Sequence, residues 1–300
     1  MPQTLTELND AFAIEGVLGF ENLADHYPVA VIRNAQAEAR IALHGAHVLH
    51  FQPAGEAPLL WLSETAVFRE GKAIRGGIPI CWPWFGPDPS GQNRPAHGFA
   101  RDRFWTLDQV QHEPQSGTQL QFSLPASEVI RALWPHPFKL SLAVSVGRRL
   151  ELRLRMQNLG DTTMRCSGAL HSYFSVTDIA NTRVSGLDGR PYLDQLDGHA
   201  RKLQKGEITI AREVDRIYVD TPDTVTIDDA GHQRQIEISK RGSLSTVVWN
   251  PWIEKSAGMN DFPPEGHRQM LCVETSNAAH DEIWLAPGQA HELACSIRYR

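Results

Sequence analysis

The segment from Ile74 to Pro87 (IRGGIPICWPWFGP) sets Arg75 among glycines, aromatic residues and prolines. Its three prolines lack a backbone N–H and disfavour helical geometry before them, while its three glycines permit turns that are closed to other residues. Ten residues later the sequence AHGFAR adds His97 and Arg101 beside another glycine. Two arginines and a histidine among aromatic side chains predict a pocket for an anionic, ring-shaped ligand.

Three further polar clusters interrupt apolar runs and place His171, Asp215 and Glu274 against hydrophobic neighbours. Burial would raise the pKa of Glu274 towards neutrality, where an imidazole such as that of His171 already titrates. A carboxylate and an imidazole of matched proton affinity can form a general acid/base pair, which is worth ~10²–10⁴ in rate.

Each of these residues also has a simpler interpretation when it is taken alone. A single histidine such as His97 or His171 is more often a core residue bonded to a carbonyl group. Asp215 followed by Arg216 is usually a solvated ion pair, and Arg75 could serve only to hold a loop. The functional interpretation therefore depends on the combination of residues.

The elements that must position these residues read mainly as β-strands. From Phe138 to Met156 the even positions are predominantly apolar, a period of two that predicts paired strands. Even residues must pair with even residues to keep both apolar sets on one face, so a three-residue loop, Gly147–Arg149, is predicted. A two-residue turn would place Val144 opposite Glu151, and we reject it.

Short alternating runs recur along the chain, and few segments have helical character. The predicted strands are Val29–Arg33, Ala37–Leu43, Thr118–Leu124, Thr163–Leu170, Thr224–Asp228, Arg234–Ser239, Leu244–Trp249 and His291–Arg298. Helical pieces are expected only near Leu5–Ala13 and Ser127–Leu133. The pattern predicts an all-β protein built from two face-packed antiparallel sheets. No linker or repeat divides residues 1–300, so we expect one domain.

Composition excludes several classes of function. The chain of 300 residues carries a net charge of −6, whereas nucleic-acid and membrane-surface binding need a basic face. The sequence shows no signal peptide, and no apolar run approaches the ~20 residues that span a bilayer. Its four cysteines lack Cys-x-x-Cys spacing, which favours reduced thiols in the cytoplasm.

Metal and nucleotide chemistry are also disfavoured. His44, His47 and His50 would lie on both faces of a strand, and no carboxylate or cysteine accompanies them at a recognised ligand spacing. The glycines at 71, 76 and 77 lack the Lys-Ser/Thr of a phosphate-binding loop. We expect neither a metal nor a nucleotide cofactor.

Six short motifs together resemble one known family. In chain order they are Ile74–Pro79 (IRGGIP), His97–Arg101 (HGFAR), His171–Phe174 (HSYF), Val214–Tyr218 (VDRIY), Trp249–Trp252 (WNPW) and Cys272–Glu274 (CVE). They resemble the hexose-6-phosphate mutarotases, the glucose-6-phosphate 1-epimerase branch of the aldose 1-epimerase family. This resemblance implies a galactose-mutarotase-like β-sandwich with a sugar cleft on a concave face and a reaction without metal or cofactor.

The resemblance also implies a role for each matching residue. The family's acid falls on His171 and its base on Glu274, while its substrate-binding aspartate falls on Asp215. Its substrate-binding arginines fall on Arg75 and Arg101. His97 takes the place of the first active-site histidine of the sugar mutarotases. Ala96 stands where some members have a polar side chain.

These observations predict a cytoplasmic, monomeric enzyme that interconverts the anomers of an aldohexose 6-phosphate. One alternative is an aldose 1-epimerase acting on unphosphorylated sugars, which would leave Arg75 and Arg101 without an anionic partner. The other is a non-catalytic module that binds sugar phosphates for regulation, which would not require both His171 and Glu274. The expected ligand of the hexose 6-phosphate enzyme and of the non-catalytic module is a small sugar phosphate.

Overall fold

The computed structural model describes residues 2–300, which form three short α-helices and many β-strands. The helices are α1 (Leu5–Phe12), α2 (Glu128–Leu133) and α3 (Trp252–Ala257). The strands are β1 (Leu18–Asn22), β2 (Pro28–Arg33), β3 (Ala37–Ala42), β4 (His47–Pro53), β5 (Ile80–Cys81), β6 (Thr106–Glu113), β7 (Gly117–Ser123), β8 (Phe138–Val146), β9 (Arg149–Asn158), β10 (Met164–Cys166), β11 (Gly168–Leu170), β12 (Tyr173–Ser175), β13 (Thr182–Ser185), β14 (Pro191–Asp194), β15 (Ala200–Leu203), β16 (Ile208–Thr209), β17 (Val214–Val219), β18 (Val225–Asp229), β19 (Arg234–Arg241), β20 (Ser245–Asn250), β21 (Met270–Asn277), β22 (Ile283–Leu285) and β23 (Ala290–Tyr299).

Two large antiparallel sheets pack face to face and confirm the predicted all-β sandwich. One has nine strands in the order β16-β13-β18-β19-β23-β9-β8-β7-β6, and the other has eight, with β15-β14-β17-β20-β21-β11-β5 as its path and β12 paired to β21. A four-stranded sheet, β1-β2-β3-β4, and the β10-β22 pair complete the set. One hydrophobic core cluster takes side chains from both large sheets and from the four-stranded sheet. That residues 1–300 form one domain stays a prediction.

The β8–β9 hairpin has the register that parity predicts. Val146 faces Leu150 and Val144 faces Leu152, so three residues connect the innermost pair. The even residues of both strands then enter the core together, because side chains of directly paired residues share a face. Ser145, and not Val144, lies opposite Glu151.

Two of the three helices, α1 and α2, begin at a residue whose side chain caps the helix. Thr4 and Glu7 form a reciprocal capping box at α1, and the Ser127 side chain accepts a hydrogen bond from the Ile130 N–H at the start of α2. Both lie where helices are predicted, whereas α3 is not among the predicted helices. Within residues 2–300 no helix combines the length and apolar character needed to cross a membrane.

One predicted strand is wrong as a single element. The run Thr163–Leu170 divides at Ser167 into β10 and β11, which belong to different sheets. The Ser167 N–H donates to the carbonyl of Pro83, and its hydroxyl accepts from the Phe85 N–H. Contacts with a distant loop therefore interrupt an alternation that looks continuous in the sequence.

Candidate active site

Strand β21 divides its side chains between the core and a pocket. Leu271 and Val273 point into the core between the large sheets, while Cys272 lies in a second apolar cluster on the opposite face. Glu274 is two residues beyond Cys272 and therefore shares that face. The strand pattern alone thus delivers one buried carboxylate to the floor of the pocket, where Glu274 is 1% exposed.

Neighbouring strands extend the same face on both sides of β21. On β20, Trp249 pairs with Cys272 and Val247 pairs with Glu274. On β12, Tyr173 also pairs with Cys272, so the thiol is flanked by two aromatic residues. This floor is apolar except at Glu274, which accounts for the desolvation of its carboxyl group.

His171 lies in the short break between β11 and β12, directly beside Glu274. Its backbone N–H donates to the carbonyl of Pro79 at 3.0 Å, which ties the His-Ser-Tyr-Phe segment to the Arg-Gly-Gly segment. The imidazole stacks on Tyr173, with 4.8 Å between ring centroids and 5° between planes. Its Nδ1 atom is 3.3 Å from Oε1 of Glu274. The structure therefore brings the two sequence-predicted acid/base candidates into contact.

Two glycines in the wall of the pocket allow backbone segments to approach closely. A Cβ on Gly77 would lie 2.2 Å from the Val48 carbonyl oxygen, and one on Gly98 would lie 2.1 Å from that of Trp82. Both glycines have positive φ, a region that other residues rarely adopt. The peptide bond between Trp82 and Pro83 is cis. The close backbone approaches and the positive φ angles explain why the two arginine-bearing motifs contain glycine at positions 77 and 98.

Arg75 is held from two sides at the edge of the pocket. Its Nε donates to Asp261 at 3.2 Å and its Nη1 donates to the Tyr173 hydroxyl at 3.1 Å. The Tyr173 oxygen and the Asp261 carboxylate beside it raise the pKa of Arg75, so this guanidinium stays protonated. Since Tyr173 also stacks on His171, one tyrosine links the arginine to the imidazole.

Arg101 and His97 also line the pocket. Arg101 donates from Nη2 to the carbonyl of Ala96 at 2.9 Å, so residue 96 positions the arginine through its backbone. His97 has a φ of 66°, and its Nδ1 accepts from the Gly86 N–H at 3.3 Å. Burial and the charges of Arg101 and Arg75 lower the pKa of His97 to about 3. A neutral ring that accepts at Nδ1 carries its proton at Nε2.

Asp215 lies on β17 opposite Trp249 and contributes a second carboxylate to the pocket. Burial raises the pKa of Asp215, and nearby Lys255 opposes that shift. The Lys255 ammonium is 2.7 Å from Glu213 and 3.8 Å from Asp215. Within residues 2–300 Asp215 makes no ion pair with His171, and the ion pair that it does make is the one with Lys255.

The buried pair has opposite pKa shifts. Burial raises the pKa of Glu274 well above its ordinary value. Burial, His97 and the charges of Arg101 and Arg75 lower the pKa of His171 well below its ordinary value. The carboxyl group therefore holds a proton more strongly, and the imidazole less strongly, than either would in water, so the ordinary gap between their proton affinities is not preserved in this pair.

All six predicted site residues line one pocket of about 330 Å³, at the small end of the range for ligand sites. Sequence reasoning named Tyr173 and Trp249 within motifs but gave neither a role, and it missed Asp261. No sequence signal marks Asp261, because only folding brings its loop to Arg75.

Two of the three histidines that the sequence disfavours as metal ligands hydrogen-bond to backbone groups. His44 Nε2 accepts from the Gly71 N–H, and His47 Nε2 hydrogen-bonds to the Gly76 carbonyl. In the described part of the chain one group of three potential ligands does occur, formed by His171, Cys272 and Glu274. The sequence analysis gave Cys272 no role. Its position two residues before Glu274 on a strand nevertheless predicts that the two side chains share a face.

The fold and pocket define a recognisable structural class. A solved structure from Salmonella typhimurium, described as that of a putative mutarotase, superposes with a TM-score of 0.89 at 36% identity and covers 96% of this chain and 95% of its own. A galactose mutarotase-like protein from Clostridium acetobutylicum has a TM-score of 0.74 at 14% identity, with 94% and 98% covered. The chain is a galactose-mutarotase-like β-sandwich.

Sequence comparison gives the family. The aldose 1-epimerase family model matches residues 28–298. A protein of Escherichia coli K12 named "Putative glucose-6-phosphate 1-epimerase" is 41% identical over 275 residues, which is 91% of each chain. A protein of Cenchrus ciliaris with the same name is 37% identical and covers 86% of this chain and 79% of its own. This chain belongs to the aldose 1-epimerase family.

Proposed function

We propose that this protein interconverts the α and β anomers of an aldohexose 6-phosphate, with D-glucose 6-phosphate as the preferred substrate. The observation that carries the proposal is the His171–Glu274 contact on the floor of a pocket that also contains two arginines. The names of the relatives support glucose 6-phosphate as the substrate. The acid/base pair supports a reaction that consists of proton transfers alone.

Glu274 removes the proton of the C1 hydroxyl while His171 protonates the ring oxygen, and the ring opens to the aldehyde. Rotation about the C1–C2 bond presents the other face of the carbonyl to the C5 hydroxyl, and the reverse transfers close the opposite anomer. Both reacting oxygens are bonded to C1, so a donor and an acceptor 3.3 Å apart are suitably close for both. Each cycle returns the pair to its starting protonation state.

The phosphate group has two functions in this proposal. Guanidinium groups of Arg75 and Arg101 form charge-assisted hydrogen bonds with it and fix the sugar while C1 turns. The bound dianion also offsets the positive potential that lowers the pKa of His171, and it thereby favours the imidazolium form required of the acid. Phosphate binding and acid strength are coupled through the same two arginines.

The remaining pocket residues orient the sugar ring. Asp215 accepts from a sugar hydroxyl, and His97 donates from Nε2 to a hydroxyl or phosphate oxygen. The Trp249 ring provides an apolar surface between Asp215 and the thiol of Cys272. No nucleic acid, membrane or metal cofactor takes part. We further propose that the protein acts as a cytoplasmic monomer, which its four unpaired, buried cysteines and net charge of −6 support.

NMR saturation transfer between the anomers of glucose 6-phosphate and of free glucose tests the proposal. We expect accelerated exchange of the phosphate, weak or absent acceleration of glucose, and loss of exchange in His171→Ala and Glu274→Ala. Equal acceleration of both sugars would instead favour the unphosphorylated-sugar epimerase. Tight binding of glucose 6-phosphate without any acceleration would favour the non-catalytic module.

A further inference from the structure

Cys272 lies beside the acid/base pair but has no part in the proposed reaction. It shares one face of β21 with Glu274, and it is fully buried. One potential ligand atom from each of His171, Cys272 and Glu274 lies within 4.8 Å of the others. An imidazole nitrogen, a thiolate sulfur and a carboxylate oxygen form a donor set that suits Zn²⁺ and similar thiophilic cations.

The spacing of two of these donors fits a tetrahedral ion. Nδ1 of His171 and Oε1 of Glu274 are 3.3 Å apart. Two ligand atoms bound ~2.0 Å from Zn²⁺ at a tetrahedral angle are themselves about 3.3 Å apart. The sulfur would complete three protein ligands and leave a fourth position open towards the pocket, which is the usual arrangement of an accessible zinc site.

A second observation points to a ligand at the same place. Nδ1 of His171 and Oε2 of Glu274 are buried and have no hydrogen-bond partner within residues 2–300. The two residues are only 7% and 1% exposed, respectively. Buried polar atoms normally have partners, so unpartnered lone pairs on adjacent side chains indicate a site that binds something.

The local charges permit a divalent cation. A thiolate and a carboxylate together balance Zn²⁺, while the thiol proton and any proton shared by His171 and Glu274 leave to solvent. Arg75 is already paired with Asp261, and Asp215 supplies a further negative charge to the pocket. Arg101 is the cation that acts on both members of the pair, while Arg75 acts on His171.

We propose that His171, Cys272 and Glu274 form an inhibitory binding site for a thiophilic divalent cation. The ion occupies the lone pairs that exchange protons with the sugar, so cation and sugar phosphate compete for the pocket. The inhibition rests on the proposed function, whereas cation binding itself does not. Cys272 therefore makes the active site sensitive to metal without contributing to its chemistry.

Titration of the full chain with Co²⁺ tests the site without any activity assay. A cobalt–thiolate bond gives charge-transfer absorption in the near ultraviolet, and we expect it to saturate at one ion per chain. Loss of a residue that only hydrogen-bonds to a metal ligand lowers metal affinity about 10–100-fold. Cys272 is a direct ligand in this proposal, so we expect Cys272→Ser to weaken binding roughly 100-fold and to abolish this absorption. His171→Gln, which retains the thiol, is expected to weaken binding at least about tenfold.

Cys295→Ser is the matched control, since Cys295 is also buried but lies on β23 in the other large sheet. It should bind Co²⁺ like the unmodified protein, and circular dichroism checks that each variant is folded. Absence of the absorption in the unmodified protein, or its persistence in folded Cys272→Ser, would overturn the proposed site.

Anomer exchange with and without Zn²⁺ then tests the inhibition. We expect Zn²⁺ to inhibit exchange and higher concentrations of glucose 6-phosphate to relieve the inhibition. The same Zn²⁺ concentration should slow Cys272→Ser much less than Cys295→Ser. Equal inhibition of the two variants would overturn the inhibitory role. If no anomer exchange is detected at all, the proposed function fails, while the Co²⁺ titration still decides whether the site binds metal.

Discussion

The two faces of strand β21 are equally buried but serve different purposes. Leu271 and Val273 are 0% exposed and pack in the core between the large sheets. Cys272 and Glu274 are 0% and 1% exposed on the opposite face. At these four positions the core face carries apolar side chains, whereas the pocket face carries a thiol and a carboxyl group whose Oε2 is buried without a hydrogen-bond partner within residues 2–300. Because the four side chains are almost equally buried, burial does not distinguish the site from the core, and the difference lies in the ionisable groups of the pocket face.

The substitution Glu274→Gln is the most direct attempt to break this comparison. It keeps the shape of the side chain but removes the base, so we expect kcat/KM for anomer exchange to fall by ~10²–10⁴. Folding stability should be unchanged or higher, because a neutral amide is less costly to bury than a carboxylate without a partner. Saturation-transfer NMR and urea denaturation measure the two quantities. A folded variant with normal exchange would remove Glu274 from the reaction.

Leu271→Ala tests the core face of the same strand. Truncating a fully buried leucine is expected to lower the free energy of unfolding by about 2–5 kcal/mol, since the cavity cannot close completely. The rate per folded molecule should change by no more than a few-fold. Urea unfolding gives the stability, and exchange measured well below the midpoint gives the rate. If Leu271→Ala abolished exchange in fully folded protein, the two faces of β21 would not be functionally separate.

Arg75→Gln sharpens the description of the pocket face by separating substrate recognition from proton transfer. Hydrogen bonds to a charged group are worth about 1.5–3 kcal/mol, which corresponds to a roughly 10–150-fold lower kcat/KM for glucose 6-phosphate. Any basal exchange of free glucose should be less affected, because that sugar lacks the phosphate. Rates with both sugars measure the ratio.

Arg216→Gln provides the matched control for that ratio. Arg216 follows Asp215 on β17 but hydrogen-bonds to Gln204 and Tyr218 and does not line the pocket. We expect its substitution to leave the preference for the phosphorylated sugar unchanged. An equal loss of preference in the two variants would mean that general charge, and not contact with phosphate, determines specificity.

The elements predicted most completely from sequence are those whose pattern is local. The alternation from Phe138 to Met156 gave both the strands and the register of the β8–β9 hairpin. The start of α2 follows from Ser127, a residue type that caps helices. In contrast, α3 begins after Asn250 accepts a hydrogen bond from the Trp252 N–H, a local turn that the Trp-Asn-Pro-Trp sequence did not reveal.

The sequence identified which residues form the site, but it did not predict which residues they contact. Motifs nominated His171 and Glu274, which are more than 100 residues apart in the chain, yet only the β11–β21–β12 arrangement brings them to 3.3 Å. Likewise, the Arg-Gly-Gly motif nominated Arg75, but its anchoring to Asp261 and Tyr173 depends on a loop packed from elsewhere. Such contacts are set by tertiary packing and carry no local signature.

The smallest expected effect concerns the charge that faces the pair. The positive charge of Arg101 lowers the pKa of both His171 and Glu274, because it disfavours the protonated form of each. Arg101→Gln removes that charge, so both limbs of the bell-shaped dependence of kcat/KM on pH should move to higher pH. Arg101→Lys keeps the charge and should leave the limbs close to their original positions.

The direction of that movement is informative because the two proposed roles of Arg101 predict different results. If Arg101 acted only as a phosphate ligand, Arg101→Gln would lower kcat/KM at every pH and leave the limbs in place. If Arg101 also lowers the pKa values of the acid and the base, both limbs move to higher pH in Arg101→Gln. This movement should also occur with free glucose, where no phosphate is bound. A shift to lower pH would contradict the assigned electrostatics. The pH profile therefore shows whether nearby charge determines the pKa values of the groups on the pocket face of β21. Packing, in contrast, determines what the core face contributes to stability.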